Sequence, residues 1–248
     1  MSLCKDCVSG VRHEGTPTGT WETIGGVNTY VAKPTVDYPK EKAILFLVDI
    51  FGPQLINARL LADDFALNGF QVYVPDLFDN DPVPEDALET GNFDLGAWFG
   101  KHGPVIARPI LDKVIAALKE SGITSIATTG YCYGGRLGFD LAFEGITAVT
   151  VVAHPSLLQA PADLEKYAQT KVPLLINSCT VDTQFPISSQ EKADEILGNG
   201  KFAPGYKREY WDGCTHGFAV RGDLSDPKVK AGKEGAFKAS VEFLIKHL

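Results

Sequence analysis

Thr128-Thr129-Gly130-Tyr131-Cys132-Tyr133-Gly134-Gly135 is the stretch that decides the reading of this chain. It follows a β-rich run at 125–129 and precedes an apolar helical pattern at 137–143. G-x-C-x-G between a strand and a helix is the pattern of a nucleophile elbow. The turn is so sharp that small residues are needed two places before and two places after the residue held at its tip. A thiol at that tip stands at a helix N-terminus, where the dipole and free N–H groups favour thiolate, the form that attacks carbonyl carbon. Cys132 is therefore the candidate nucleophile, and the N–H of Tyr133 a candidate oxyanion-hole donor. A phosphate loop or a plain tight turn around a buried cysteine competes with this reading. G-Y-C-Y-G-G does not fit G-x-G-x-x-G, however, and no P-loop lysine follows.

Outward from the elbow, short apolar runs at 43–49, 71–74, 125–129, 148–153, 173–177 and 207–211 alternate with helical patterns at 55–68, 106–120 and 231–248. Continuously apolar runs read as strands of a parallel sheet covered on both faces, with crossover helices between them. The expected fold is a single-domain α/β-hydrolase: a doubly wound, mostly parallel sheet with helices on both faces. One domain spans 1–248, with 1–19 as an N-terminal extension. Trp21-Glu22-Thr23-Ile24 and Asn28-Thr29-Tyr30-Val31-Ala32 around Gly25-Gly26 predict an edge hairpin. The interval between His154 and Lys171 has room for little beyond one helix, so no cap domain is expected. The segment from Asp76 to Pro104 reads as one long irregular stretch carrying Phe78, Phe93, Trp98 and Phe99.

In this fold the acid and then the base follow the nucleophile, each in a loop after a strand. The run 173–177 leads into Cys179-Thr180-Val181-Asp182, and the run 207–211 into Asp212-Gly213-Cys214-Thr215-His216-Gly217-Phe218. Asp182 is the candidate acid and His216 the candidate base, the imidazole taking the thiol proton while the carboxylate fixes its tautomer. Asp212 competes weakly as the acid, being too close to His216 on the same loop. Of the five histidines, His154 also ends a strand and reads either as a pocket-lining residue or as a packed structural one.

A formal net charge of −8 argues against nucleic acid or an anionic membrane as partner. No apolar stretch approaches the roughly 18 residues that span a bilayer, and the N-terminus has no apolar signal core. A cytoplasmic protein is expected. Cys4, Cys7, Cys132, Cys179 and Cys214 form an odd, sparse set best read as reduced thiols. Cys4 and Cys7 have C-x-x-C spacing, but nothing completes a zinc set.

From about Gly26 onward the chain resembles the dienelactone hydrolase family of α/β-hydrolases. The resemblance rests on Asp49-Ile50-Phe51-Gly52, Val74-Pro75-Asp76-Leu77-Phe78, the elbow, Asp182 and His216-Gly217-Phe218. It implies a Cys-His-Asp triad on Cys132, His216 and Asp182, hydrolysis of a small ester or lactone through a thioester acyl-enzyme, and no cofactor. It also implies that Ile50 supplies a second oxyanion-hole N–H and that Asp49 stands where the family places a thiol-tuning carboxylate, there Glu. Aspartate is shorter by one C–C bond, about 1.5 Å, so a strand-end carboxylate, solvated or capping the helix at Leu55, is the alternative for Asp49. Of the two arginines with which the family binds a substrate carboxylate, the first has no counterpart near Asp76, and the second survives as Arg221, one residue further on. That departure argues against strict dienelactone specificity. Arg221 then either meets an anionic substrate or forms a surface salt bridge.

Tyr131, Tyr133, His154 and the aromatic residues between Phe78 and Phe99 are the expected walls of a shallow pocket for a small, flat ester. The substrate is expected to be a small-molecule ester or lactone, and a homodimer is compatible with the sequence. The alternative function on the same fold is a thiol-based small-molecule binder or redox sensor without turnover, with Cys179 and Cys214 placed to disable the site on oxidation.

Overall fold

The computed structural model describes residues 14–248, and Cys4, Cys7 and His13 lie outside the described residues. In chain order the elements are β1 (Thr20–Ile24), β2 (Val27–Ala32), β3 (Lys42–Leu47), α1 (Ile56–Leu67), β4 (Val72–Pro75), α2 (Ala87–Thr90), α3 (Leu95–His102), α4 (Pro104–Glu120), β5 (Ser125–Tyr131) and α5 (Tyr133–Phe143). There follow β6 (Val149–Ala153), α6 (Ala162–Tyr167), β7 (Leu174–Val181), α7 (Ile187–Leu197), β8 (Tyr206–Thr215), α8 (Phe218–Arg221) and α9 (Pro227–His247).

The strands form a single sheet in the order β1-β2-β4-β3-β5-β6-β7-β8. The hairpin β1–β2 is antiparallel, β2 joins β4 antiparallel, and every pairing from β4 to β8 is parallel. Residues 43–47, 126–131 and 149–153 are all buried, as a parallel sheet covered on both faces requires. On one face α1 packs with α8 and α9, and Phe65 of α1 meets Phe237 of α9 with ring centroids 4.8 Å apart. On the other, α4, α5, α6 and α7 pack in sequence, and Phe139 of α5 meets Tyr167 of α6 at 4.7 Å. Between β6 and β7 the described chain holds α6 alone, so no cap domain is inserted there.

Two expectations need correction. The segment after Asp76 is not irregular throughout, because it contains α2 and α3; the Asp94 side chain caps α3 by accepting a hydrogen bond from Ala97 N at 2.9 Å. The strand expected to stop at Trp211 instead runs on to Thr215, with a register shift opposite Cys179 and Val181. Asp212 therefore lies in β8 and not in a loop, and it pairs with Lys228 at 2.7 Å, which removes it as a rival acid.

Where β5 turns into α5, Cys132 takes φ 49° and ψ −111°. Backbone strain of this kind in a non-glycine residue costs about 1–3 kcal/mol and persists only where the surroundings hold it. They do so by close approach: a Cβ on Gly134 would stand 2.1 Å from Leu47 O, and one on Gly130 would stand 2.6 Å from Gly134 O. The first turn of α5 thus lies directly against the end of β3. Gly134→Ala should cost about 3 kcal/mol or prevent folding, because backbone and not a mobile side chain must yield. Chemical denaturation checks this, and wild-type stability in the variant would contradict it.

Candidate active site

The elbow presents Cys132 at the C-terminal edge of the sheet, and neighbouring strands tie it down through the backbone. Cys132 N donates to Ala153 O at 3.2 Å, while Cys132 O accepts from Ser156 N at 2.9 Å and from Gly135 N at 3.0 Å. The thiol lies 3.2 Å from Ser156 Oγ, which in turn lies 3.5 Å from His216 Nε2. Tyr133 opens α5, and N–H groups of a first helical turn have no intrahelical acceptor.

Asp182 and His216 directly follow the last residues of β7 and β8, and His216 N donates to Val181 O at 2.9 Å, joining their loops. His216 Nδ1 stands 2.9 Å from Asp182 Oδ1, and that same oxygen accepts from Gln184 N at 2.8 Å and Phe185 N at 3.0 Å. The carboxylate is buried and fixed from three sides. Burial works against a charged imidazole at His216. The hydrogen bonds to Asp182 and to the Cys132 thiol outweigh it and push the histidine up to about 9. With a carboxylate on Nδ1, the proton sits there in the neutral tautomer and Nε2 is left to accept.

Asp49, in the loop after β3, is fully buried, neither solvated nor capping α1. Its Oδ1 accepts from Phe51 N at 3.0 Å and its Oδ2 from Arg221 Nε at 3.1 Å. Among the described residues no hydrogen bond joins it to Cys132. Burial pushes its carboxyl up, and Arg221 opposes that shift. The Arg221 guanidinium lies 4.5 Å from the Phe51 ring centroid, so this is no simple surface salt bridge. The side chain keeps 25% exposure, enough to be reached from outside. Ile50 is buried, and its carbonyl accepts from Val83 N at 2.9 Å. Val220 O of α8 accepts from Asn57 Nδ2 at 3.0 Å and from the buried Lys233 Nζ at 3.5 Å, anchoring the helix that carries Arg221.

Three expected pocket walls are buried and serve as supports. Tyr131 stacks on Phe46 at 4.7 Å and lines an internal void of about 10 Å³ with Leu61, Ala219 and Phe237. Tyr133 donates its hydroxyl to His102 O at 2.7 Å and meets Phe78 edge-on at 5.3 Å, holding the α3 region against the elbow. His154 is fully buried behind His216, ring centroids 5.0 Å apart, and its own burial holds it well below the usual histidine range. Neither of its ring nitrogens has a hydrogen-bond partner among the described residues. The burial of His154 agrees with its reading as a packed structural residue, whereas alternation along a strand and the residue after it does not reveal that the rings of Tyr131 and Tyr133 are turned away from solvent. Ser156 went unnoticed in the sequence because it belongs to none of the three loops of the motif.

Burial and the neighbouring Asp182 push Cys179 up to about 12, and burial also pushes Cys214 up, so both are poor thiolates and poor sites for oxidation. Among the described residues no group of three or more His, Cys, Asp or Glu side chains is arranged to hold a metal ion, and no helix is long and apolar enough to cross a membrane.

The chain is similar to known hydrolases. The chain is 35% identical to the hydrolase pyvD of Aspergillus violaceofuscus over 243 residues, covering 98% of this chain and 96% of the relative. It is 32% identical to dienlactone hydrolase 1 of Gibberella moniliformis over 250 residues, covering 98% and 92%. A solved structure from Klebsiella pneumoniae, described as a dienelactone hydrolase, shares the fold with a TM-score of 0.69 at 18% identity, covering 93% of this chain and 98% of that one. The profile of the dienelactone hydrolase family matches residues 27–248, and with that match the chain belongs to the dienelactone hydrolase family.

Proposed function

We propose that this chain hydrolyses a small carboxylic ester or lactone through a thioester acyl-enzyme, with Cys132 as nucleophile, His216 as general base and acid, and Asp182 orienting the imidazole. The observation that carries this reading is the continuous line of polar atoms from Asp182 through His216 to the thiol, at the tip of a strained elbow. His216 takes the thiol proton, the sulfur attacks the carbonyl carbon, and the N–H groups of Ile50 and Tyr133 are the donors assigned to the developing oxyanion. Collapse expels the alkoxide, which takes the proton from His216; in a lactone that alkoxide stays tethered to the acyl chain. Water, deprotonated by the now neutral imidazole, then cleaves the thioester. Acylation removes the thiol's own influence on His216, which lowers the imidazole's basicity and returns it to the form a general base needs.

Arg221 sits within reach of such a site, but its Nε is committed to Asp49. An anionic substrate would compete with that pair, so the reading favours esters and lactones without a strict carboxylate requirement.

Cys132→Ala should lower kcat/KM for an activated aryl ester at least about a thousandfold, and Asp182→Asn about a hundredfold to ten-thousandfold. Cys132→Ser should lose most of the rate, because a site tuned for a thiol need not deprotonate a hydroxyl. Steady-state kinetics on the folded variants tests this set. Wild-type rates in Cys132→Ala would sink the mechanism.

A pH dependence of stability also follows. His216 is raised in the folded chain to about 9 from an ordinary 6.5, so its contribution is fully present below pH 6.5 and fades as pH rises through about 9. Wild type should lose Tm relative to Asp182→Asn across that window, as measured by thermal melts at matched ionic strength. Parallel Tm–pH profiles would contradict the assigned pairing.

A further inference from the structure

We infer that Ser156 is a fourth catalytic residue, a hydroxyl relay that carries the proton between the Cys132 thiol and His216. The inference rests on the proposed roles of those two residues. Ser156 follows the end of β6, outside the three loops that supply nucleophile, acid and base. It is bound to the nucleophile twice: its N–H donates to Cys132 O at 2.9 Å, and its Oγ lies 3.2 Å from Cys132 Sγ. The same oxygen lies 3.5 Å from His216 Nε2, at the long end of hydrogen-bond range. The residue is buried, so water does not readily replace it as the bridging group.

With thiol and imidazole both neutral, Asp182 on Nδ1 leaves Nε2 as acceptor, so in the relay Ser156 donates its one hydroxyl hydrogen to Nε2 and its oxygen lone pairs accept S–H. The raised His216 belongs to the other end of the same transfer, the imidazolium–thiolate pair. In the relay the S–H bond breaks as a new O–H bond forms on Ser156, and the original O–H bond breaks as N–H forms on His216. The products are a thiolate, an unchanged serine and an imidazolium, with no proton gained or lost. The thiol also acts on the imidazole directly, so direct transfer is the rival route. The titratable and charged groups around this line are Asp182 beyond β7, Asp49 beyond β3, His154 beyond β6 and Arg221 on α8. None of them lies between sulfur and Nε2 in the hydrogen-bond pattern.

The test is the rate of Cys132 alkylation by iodoacetamide as a function of pH, with the modified residue identified by peptide mass spectrometry. Wild type, Ser156→Ala, Ser156→Thr and His216→Ala are compared, each checked for fold by thermal unfolding. Ser156→Ala should slow alkylation near neutral pH by about tenfold, the scale of one charge-assisted hydrogen bond, and shift the profile to higher pH. Threonine, which keeps the hydroxyl, should restore most of the rate. A wild-type profile in Ser156→Ala with slow alkylation in His216→Ala would overturn the relay and leave the triad standing; unchanged rates in both would overturn the thiol–imidazole pairing itself. A proton inventory on the wild-type acylation step needs no variant. Two protons in flight give a curved dependence on deuterium fraction, and a straight line contradicts the relay.

Discussion

The contact between the first turn of α5 and the end of β3 governs the rest of this structure. Because Gly134 presents no side chain, helix backbone comes to lie against Leu47 O, and the strained turn that carries Cys132 is held between two elements of the central sheet. The loop of Asp49 and Ile50 follows the same end of β3, so the packing that seats Cys132 also sits where that loop begins. Strain at Cys132 is offset by the buried strands on either side, which leave the turn no room to relax.

Around that tip, two buried carboxylates are satisfied in different ways. Asp182 has backbone donors from Gln184 and Phe185 on one oxygen and shares that oxygen with His216, so its position is fixed. Asp49 has one backbone donor and one guanidinium, and its charge is tied to the presence of Arg221. The first arrangement fixes a tautomer. The second fixes a loop, because Arg221 links the end of β3 to α8, the helix directly after His216 and Gly217. An uncharged His154 lies behind His216 and adds bulk without a competing charge.

Much of this was legible in the sequence. The G-x-C-x-G spacing is dictated by backbone clearance, and the structure puts backbone where the missing side chains of Gly130 and Gly134 would be. The continuously apolar runs marked the parallel strands because burial on both faces leaves no polar face to alternate. Their ends were less legible: β8 runs past Trp211 to Thr215 through polar residues and a register shift that apolar patterning cannot show. Tyr131 and Tyr133 look alike on either side of Cys132, yet one ring packs on Phe46 and the other on Phe78, a difference set by tertiary contacts. Arg221 could be found but not its partner, 172 positions away in the chain. Ser156 is one serine among many until the fold sets it between sulfur and imidazole.

The central claim is that carbonyl carbon becomes bonded to Cys132. Acid-quenching the wild-type chain within milliseconds of mixing with an activated ester, followed by intact-mass and peptide mass spectrometry, tests it most directly. The account predicts a transient mass increase equal to the acyl group, confined to the peptide containing Cys132 and decaying with turnover. Hydrolysis with the acyl group on another residue, or with no acylated protein at any time during rapid turnover, would contradict it.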